Sequence, residues 1–263
     1  MAWFKRNKKK LNDTSLKYGV GLVSYTEPNG MIAEQFKTIR TNIQFSSVDK
    51  QLQSILFTSS EPSEGKSTIS NNMAVTWADQ GTKVVLVDAD LRRPTVHRSF
   101  DVSNRMGLTN YLSGNADLSA VVRETMVKDL SVITSGPVPP NPAELLGSKR
   151  IENLLSELTA EFDLVIVDAP PVNTVTDAQL LASRIDGTVL VVPQGIADKN
   201  GVRRAKQLLE TVHANILGTV MNRVTAQKSV GYYGGNYYGG SYYGGNYYGG
   251  SYYGGYYGTD DKK

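Results

Sequence analysis

Six short apolar runs, at 54–58, 83–87, 130–134, 164–167, 188–192 and 216–221, recur along the chain. Each has strand length, and the runs are close to continuous rather than alternating, which is the pattern of strands buried on both faces. Between them, 66–79, 142–160, 176–183 and 200–211 read as helices, and strands separated by helices pair in parallel. The expected fold is α/β: a doubly wound, mostly parallel sheet, whose ligands sit beyond the carboxyl ends of the strands. Ahead of the first strand, Met31–Phe45 reads as an amphipathic helix. It has Phe36, Ile39 and Ile43 on one face and Glu34, Lys37 and Arg40 on the other.

The chemistry falls at the strand ends. The first strand runs into Ser60-Glu61-Pro62-Ser63-Glu64-Gly65-Lys66-Ser67-Thr68, followed by a helix, which is a P-loop in its expected context. Loop amides and the helix N-terminus surround phosphates, the Lys66 ammonium reaches the β and γ oxygens, and the Ser67 hydroxyl ligates Mg²⁺. Ser60 stands where the first glycine is usual. Two further strands end in carboxylates, one in Asp88-Ala89-Asp90-Leu91-Arg92 and one in Asp168-Ala169-Pro170-Pro171. Such acids are what a hydrated Mg²⁺ takes beside a P-loop, because the ion keeps several waters and binds only one or two protein carboxylates. Asp168 is the Walker B residue of this reading. Arg92 and Arg93 are placed either to reach phosphate or to serve as surface charge. His97-Arg98-Ser99 lacks the aspartate of a eukaryotic-type kinase loop and reads as a solvated loop.

Composition adds a second feature. From 231 to 258 the chain is twelve tyrosines in six adjacent pairs, twelve glycines, two asparagines and two serines, while only three tyrosines lie elsewhere. Glycine at this density resists ordering, so the segment is expected to be a flexible row of exposed phenols. The rest is ordinary for a globular protein, with 263 residues, 40% hydrophobic and 20% charged. A net charge of +3 argues against a nucleic-acid binder, and the absence of cysteine excludes disulfides and thiolate metal sites. The expected organisation is a basic N-terminal segment at 1–30, a domain at 31–226 and a tyrosine-rich tail at 227–263. Lys5, Arg6, Lys8, Lys9 and Lys10 follow Trp3 and Phe4 in that first segment. The cluster reads either as a solvated tail or as one half of a membrane-surface signal. Without a signal-peptide core, a cytoplasmic location is expected.

These residues together resemble the bacterial tyrosine kinases of the capsule and exopolysaccharide type, which are built on a P-loop. The marks are the loop at Ser60 to Ser67, the Asp-x-Asp-x-Arg motif of Asp88, Asp90 and Arg92, the strand ending at Asp168-Ala169-Pro170-Pro171, and the tyrosine-rich tail. The family's Glu-x-x-Arg-x-x-Arg helix appears as Glu34, Lys37 and Arg40, with lysine for the first arginine; lysine lacks the bidentate fork, so a contact made there is weaker. The resemblance implies an ATP- and Mg²⁺-dependent kinase that phosphorylates its own tail, at Tyr232, Tyr233, Tyr237, Tyr238, Tyr242, Tyr243, Tyr247, Tyr248, Tyr252, Tyr253, Tyr256 and Tyr257. It implies a homo-oligomeric ring joined through the Glu34, Lys37, Arg40 helix and a membrane-embedded activator that regulates polysaccharide chain length. A cognate tyrosine phosphatase and recruitment to the inner face of the cell membrane follow as well. In its terms Lys66, Asp88, Asp90 and Asp168 are catalytic, with Asp88 favoured over Asp90 as the base. Ser67, Asp88 and Asp168 hold the metal. Ser60, Glu64, Gly65, Lys66, Ser67, Thr68 and Arg92 bind nucleotide, and Asn222 contacts adenine.

Two other readings share the sheet. A partition or division-site ATPase switch carries a second lysine early in the loop, where this chain has Glu61, and has no use for the tail. A non-enzymatic scaffold would use nucleotide only to drive assembly.

Overall fold

The computed structural model describes residues 14–47 and 52–224. Two short helices, α1 (Thr14–Tyr18) and α2 (Val23–Thr26), precede α3 (Met31–Phe45). Then follow β1 (Ser54–Ser59), α4 (Lys66–Ala78), β2 (Val84–Asp88), α5 (Val96–Ser99), α6 (Leu108–Leu112) and α7 (Leu118–Val121). The chain continues through β3 (Val122–Glu124), β4 (Leu130–Ile133), α8 (Pro142–Gly147), α9 (Lys149–Glu161) and β5 (Leu164–Asp168). The last elements are α10 (Asp177–Ala182), β6 (Gly187–Pro193), α11 (Lys199–Thr211) and β7 (Ile216–Asn222).

The seven strands form one sheet in the order β3-β4-β2-β5-β1-β6-β7. All neighbours are parallel except β3, which runs antiparallel to β4. β1, β2 and β5 are buried along their whole length. That is why these strands read as unbroken apolar runs, since each alternate residue meets a helix layer. Ile55, Phe57, Val84, Leu86 and Ile166 pack with Met73 and Trp77 of α4 on one face. Leu56, Val85, Val87 and Val165 pack with Leu146, Leu154, Leu158 and Leu209 on the other.

The structure departs from the expectation at several points, the short helices α6 and α7 among them. β3, three residues long and only half-buried, was not anticipated, because so short an edge piece has no periodicity to read. The single helix expected at 142–160 is two, broken where Ser148 turns extended at φ −73°, ψ 161°. The 97–99 loop is a helical turn, α5. And the stretch 14–26, set apart in the sequence as a leading segment, folds onto the domain, with α1 against α5 and α2 against α3 and α4.

α4 is the central helix of its layer. Eleven of its thirteen residues are buried, because the sheet lies beneath it and α2 and α3 above it. A helix covered on all sides shows no polar stripe, and its buried polar groups must find partners. Thr76 Oγ1 therefore donates to Asn72 O and shares a hydroxyl–hydroxyl hydrogen bond with Ser24, and the Thr76 carbonyl accepts from Arg40.

The helix α3 corrects the sequence reading. Arg40 is buried beside Phe36 and Ile43 rather than sharing the exposed face of Glu34 and Lys37. At about 100° per residue, Arg40 falls only about 60° from Ile43 but about 120° from Glu34. Its guanidinium bonds to the Thr76 carbonyl of α4, and burial lowers its pKa from the ordinary value, against the opposing pull of Asp79 and Glu34.

Candidate active site

The strand order brings the carboxylates together. β2, β5 and β1 are neighbours, with Asp88 paired in register with Asp168 and Asp168 with Phe57 of β1. The P-loop therefore starts level with both acids.

Its backbone is held from below. Glu64 is buried, and its Oε2 accepts from Ser60 Oγ at 2.8 Å and from the Glu61 amide at 3.0 Å. Ser60, the departure from the usual glycine, thus has a structural task, and the side chains of Ser60 and Glu64 shape the loop from within. Burial pushes the Glu64 carboxyl up, and these hydrogen bonds pull it back. Gly65 sits at φ +98°, and a Cβ there would lie 2.1 Å from Asn222 Nδ2, so only glycine fits. Asn222 Nδ2 donates to the Glu64 carbonyl at 3.1 Å, and its Oδ1 accepts from the Arg223 amide. Asn222, the residue expected to contact adenine, also ties β7 to the P-loop.

Lys66 lies between acids, with its Nζ 2.9 Å from Asp90 Oδ2, 3.5 Å from Asp168 Oδ1 and 3.2 Å from Ser67 Oγ. Burial opposes its charge, but Asp168 and Asp90 outweigh it and hold its pKa above the ordinary lysine value. The three acids differ in surroundings. Asp88 is fully buried, its Oδ2 accepting from the amides of Thr95 and Val96 at the start of α5, while its Oδ1 has no hydrogen-bond partner. Burial and then the neighbouring Asp168 and Asp90 push its pKa up to about 8, with Lys66 opposing. Asp168 is also fully buried, and neither oxygen accepts a hydrogen bond of ordinary geometry. Its pKa is raised by burial, against the opposing Lys66 charge. Asp90 borders the cavity above the loop, with Oδ1 accepting from the Arg93 amide.

That cavity measures about 360 Å³ and is lined by Gly65, Lys66, Ser67, Thr68, Asp90, Arg92, Pro170 and Arg223 among others. Arg92 borders it while gripping Asp177 through Nε at 3.0 Å and Nη2 at 3.3 Å. Asp177, wholly buried at the start of α10, is a site residue the sequence reading missed. An acid in a helix's first turn looks like a dipole partner, and nothing local marks it as the seat of an arginine from β2's far end.

The groups present suit a magnesium nucleotide. Orphaned buried oxygens on Asp88 and Asp168 beside the Ser67 hydroxyl are a donor set for a cation, whereas no cluster of three acids or histidines able to hold a metal occurs among the described residues. A hard ion bound mainly through phosphates and water fits that count. Among the described residues, no helix is long and apolar enough to cross a membrane.

The family model described as ParA, NUBPL iron-transfer P-loop NTPase, matches residues 52–231. The chain is 46% identical over 215 residues to the tyrosine-protein kinase YwqD of Bacillus subtilis, covering 81% of this chain and 91% of that one. It is 40% identical over 212 residues to the putative tyrosine-protein kinase CapB of Staphylococcus aureus, covering 81% and 93%. Among solved structures, the chimerical protein CapA2B2 superposes with a TM-score of 0.75 at 41% identity, over 79% of this chain and 93% of that chain. The kinase domain of Escherichia coli ETK superposes with a TM-score of 0.76 at 34% identity, over 81% and 84%. The P-loop clamped by Asn222, the lysine between strand-end acids and these likenesses agree: the chain belongs to the ParA-type P-loop NTPases and, within them, to the bacterial P-loop tyrosine kinases of the capsule and exopolysaccharide type.

Proposed function

We propose that this protein transfers the γ-phosphoryl group of ATP to tyrosine hydroxyls, its own tail first, and thereby regulates capsular or exopolysaccharide synthesis. The observation that carries the reading is Lys66 held between Asp90 and Asp168 beneath a cavity that Asp90 borders. Bound Mg²⁺, held by Ser67, Asp168 and the free Oδ1 of Asp88, would supply charge neutralisation on the phosphates. The loop amides and the N-terminus of α4 bind phosphate. Lys66 stabilises charge developing on the transferred group. Asp90 faces the cavity where an acceptor phenol enters and takes its proton. Asp88, tied to the α5 amides, positions that turn and leaves one oxygen for the ion. Arg92 is held near the phosphates by Asp177.

The acceptors proposed are the twelve tail tyrosines, which lie outside the described residues. A ring built on α3, a membrane-embedded activator, recruitment to the inner membrane face and a phosphatase that resets the tail complete the proposal. Incubating the full chain with labelled ATP and Mg²⁺ tests it. Phosphotyrosine on the tail is expected, free phosphate alone would mean a switch ATPase, and neither would mean a scaffold.

A further inference from the structure

The far wall of the cavity is supplied by chain from before the domain's first strand. Leu16 of α1 and Val20, four residues on, line it together with Gly19 and Gly21, and both aliphatic side chains are half-buried. This segment is fastened at three points. Asn72 of α4, wholly buried, accepts from the Ser24 amide and donates to the Gly21 carbonyl, each at 2.9 Å. The Val20 amide donates to Ser99 Oγ at 2.9 Å. Gly19, at φ +75°, lies so close to α5 that a Cβ would stand 2.5 Å from the Ser99 nitrogen. Asn72 also donates to the Thr68 carbonyl at 2.9 Å, so one amide links the segment to the first turn of the P-loop helix.

The position of this wall has a chemical meaning. Asn222 and Arg223 approach the P-loop from the β7 side, whereas Asp90, Thr95 and the segment lie toward β2 and α5. With Lys66 among the acids, the transferable phosphoryl belongs on the β2 side, and an in-line acceptor must arrive there. The tail offers tyrosine pairs among glycine, asparagine and serine, without a charge from 231 to 258. With no charge to bind, the tyrosine ring faces are the largest recognition feature of such an acceptor, and aromatic rings bury well against aliphatic side chains.

We infer that Leu16 and Val20, positioned by Asn72, form the apolar wall against which the phosphoacceptor tyrosine ring lies. The inference rests on the kinase reading. Its test uses the full chain with an added uncharged peptide of Tyr-Tyr-Gly-Gly repeats, read by mass, and titration with a fluorescent ATP analogue. Leu16→Ser is expected to raise the peptide KM about five- to tenfold, the scale of losing one aliphatic contact, with the analogue's Kd within about twofold of wild type. Gly19→Ala should do the same through the displaced segment, and Leu16→Ile should restore the wild-type KM. An unchanged peptide KM in Leu16→Ser overturns the inference. So does a parallel loss of analogue affinity, which would assign the wall to the nucleotide. A wild-type chain that binds the analogue but never labels the peptide removes the kinase reading itself, and the wall with it.

Discussion

Lys66 is 2.9 Å from Asp90 and 3.5 Å from Asp168, and its side chain is only 10% exposed. It therefore neutralises the strand-end acids, besides the phosphate role proposed for it. Lys66→Met is expected to abolish tail phosphorylation, since it removes charge stabilisation worth several powers of ten in rate. The same change leaves three buried carboxylates without their cation, so the variant should also melt several degrees lower, and by more at pH 8 than at pH 6. Tail labelling by purified Lys66→Met, with no other kinase present, would show the active site to be elsewhere. Asp88 gives a related expectation in metal-free, nucleotide-free protein. Its folded pKa, about 8, lies above the ordinary 3.8. The folded chain thus keeps a proton that the unfolded chain releases. The stability this group contributes is full below about pH 3.8, declines as pH rises from there and is gone above about 8. Asp88→Asn should therefore raise the melting temperature most at pH 8.5 and least near pH 5, which thermal melts in EDTA measure. A gain independent of pH would mean that Asp88 is charged throughout.

Among the elements, α3 separates two roles that the sequence had merged. Glu34 and Lys37 form an exposed pair at 2.8 Å, worth at most about 1 kcal/mol, whereas Arg40 is buried against α4. Lys37→Glu should lower the melting temperature by no more than about 2–4 °C and weaken self-association, as read by light scattering. Arg40→Ala should cost the protomer itself on the order of 1–3 kcal/mol, because the Thr76 carbonyl loses its partner and a cavity opens. Loss of assembly in Arg40→Ala alone is consequently no evidence for an interface, while undisturbed assembly in Lys37→Glu would remove α3's exposed face from it. The link between β2 and α10 behaves in the same way. Asp177 is fully buried and depends on Arg92. Arg92→Ala should lower stability by roughly 1–3 kcal/mol, allowing for the guanidinium's partial exposure, and adding Asp177→Asn should recover most of it. Additive losses in that double-mutant cycle would show that the two side chains do not depend on each other.

For the whole molecule, the consequence is electrostatic. Each phosphotyrosine adds about −1.5 to −2 charges, so six on one tail bring roughly −9 to −12 against a net of +3. Unphosphorylated chains should assemble and phosphorylated ones separate, less completely at high salt, where exposed charges are screened. An unchanged mass by light scattering after ATP addition, with several phosphates per tail, would sink that mechanism. The described domain contributes every strand of the sheet before residue 225. A chain ending at Val224 should therefore bind an ATP analogue like the full protein and phosphorylate an added peptide. Lost nucleotide binding in that truncation would make the tail part of the fold.

What the sequence determined by itself were the features that are local in the chain. Continuous apolar runs marked β1, β2, β4, β5, β6 and β7 because burial on both faces removes alternation. The Gly65-Lys66-Ser67 turn announced the phosphate loop, because it needs a left-handed glycine and a helix start in sequence. Strand-end acids pointed to the site because a parallel sheet gathers its carboxyl ends on one edge. Tertiary structure decided what depends on distant partners. Arg40 turned inward because α4, covered on every side, presents a carbonyl for it. Asp88 became a cap for α5 and left Asp90 at the cavity, a choice made by how the chain leaves β2. Arg92 found Asp177 85 residues away. Asn72 fastened a segment 48 residues earlier in the chain across the site. Sequence periodicity reports which face of an element is buried but carries no record of what lies against it, and in this protein those pairings shape the active site.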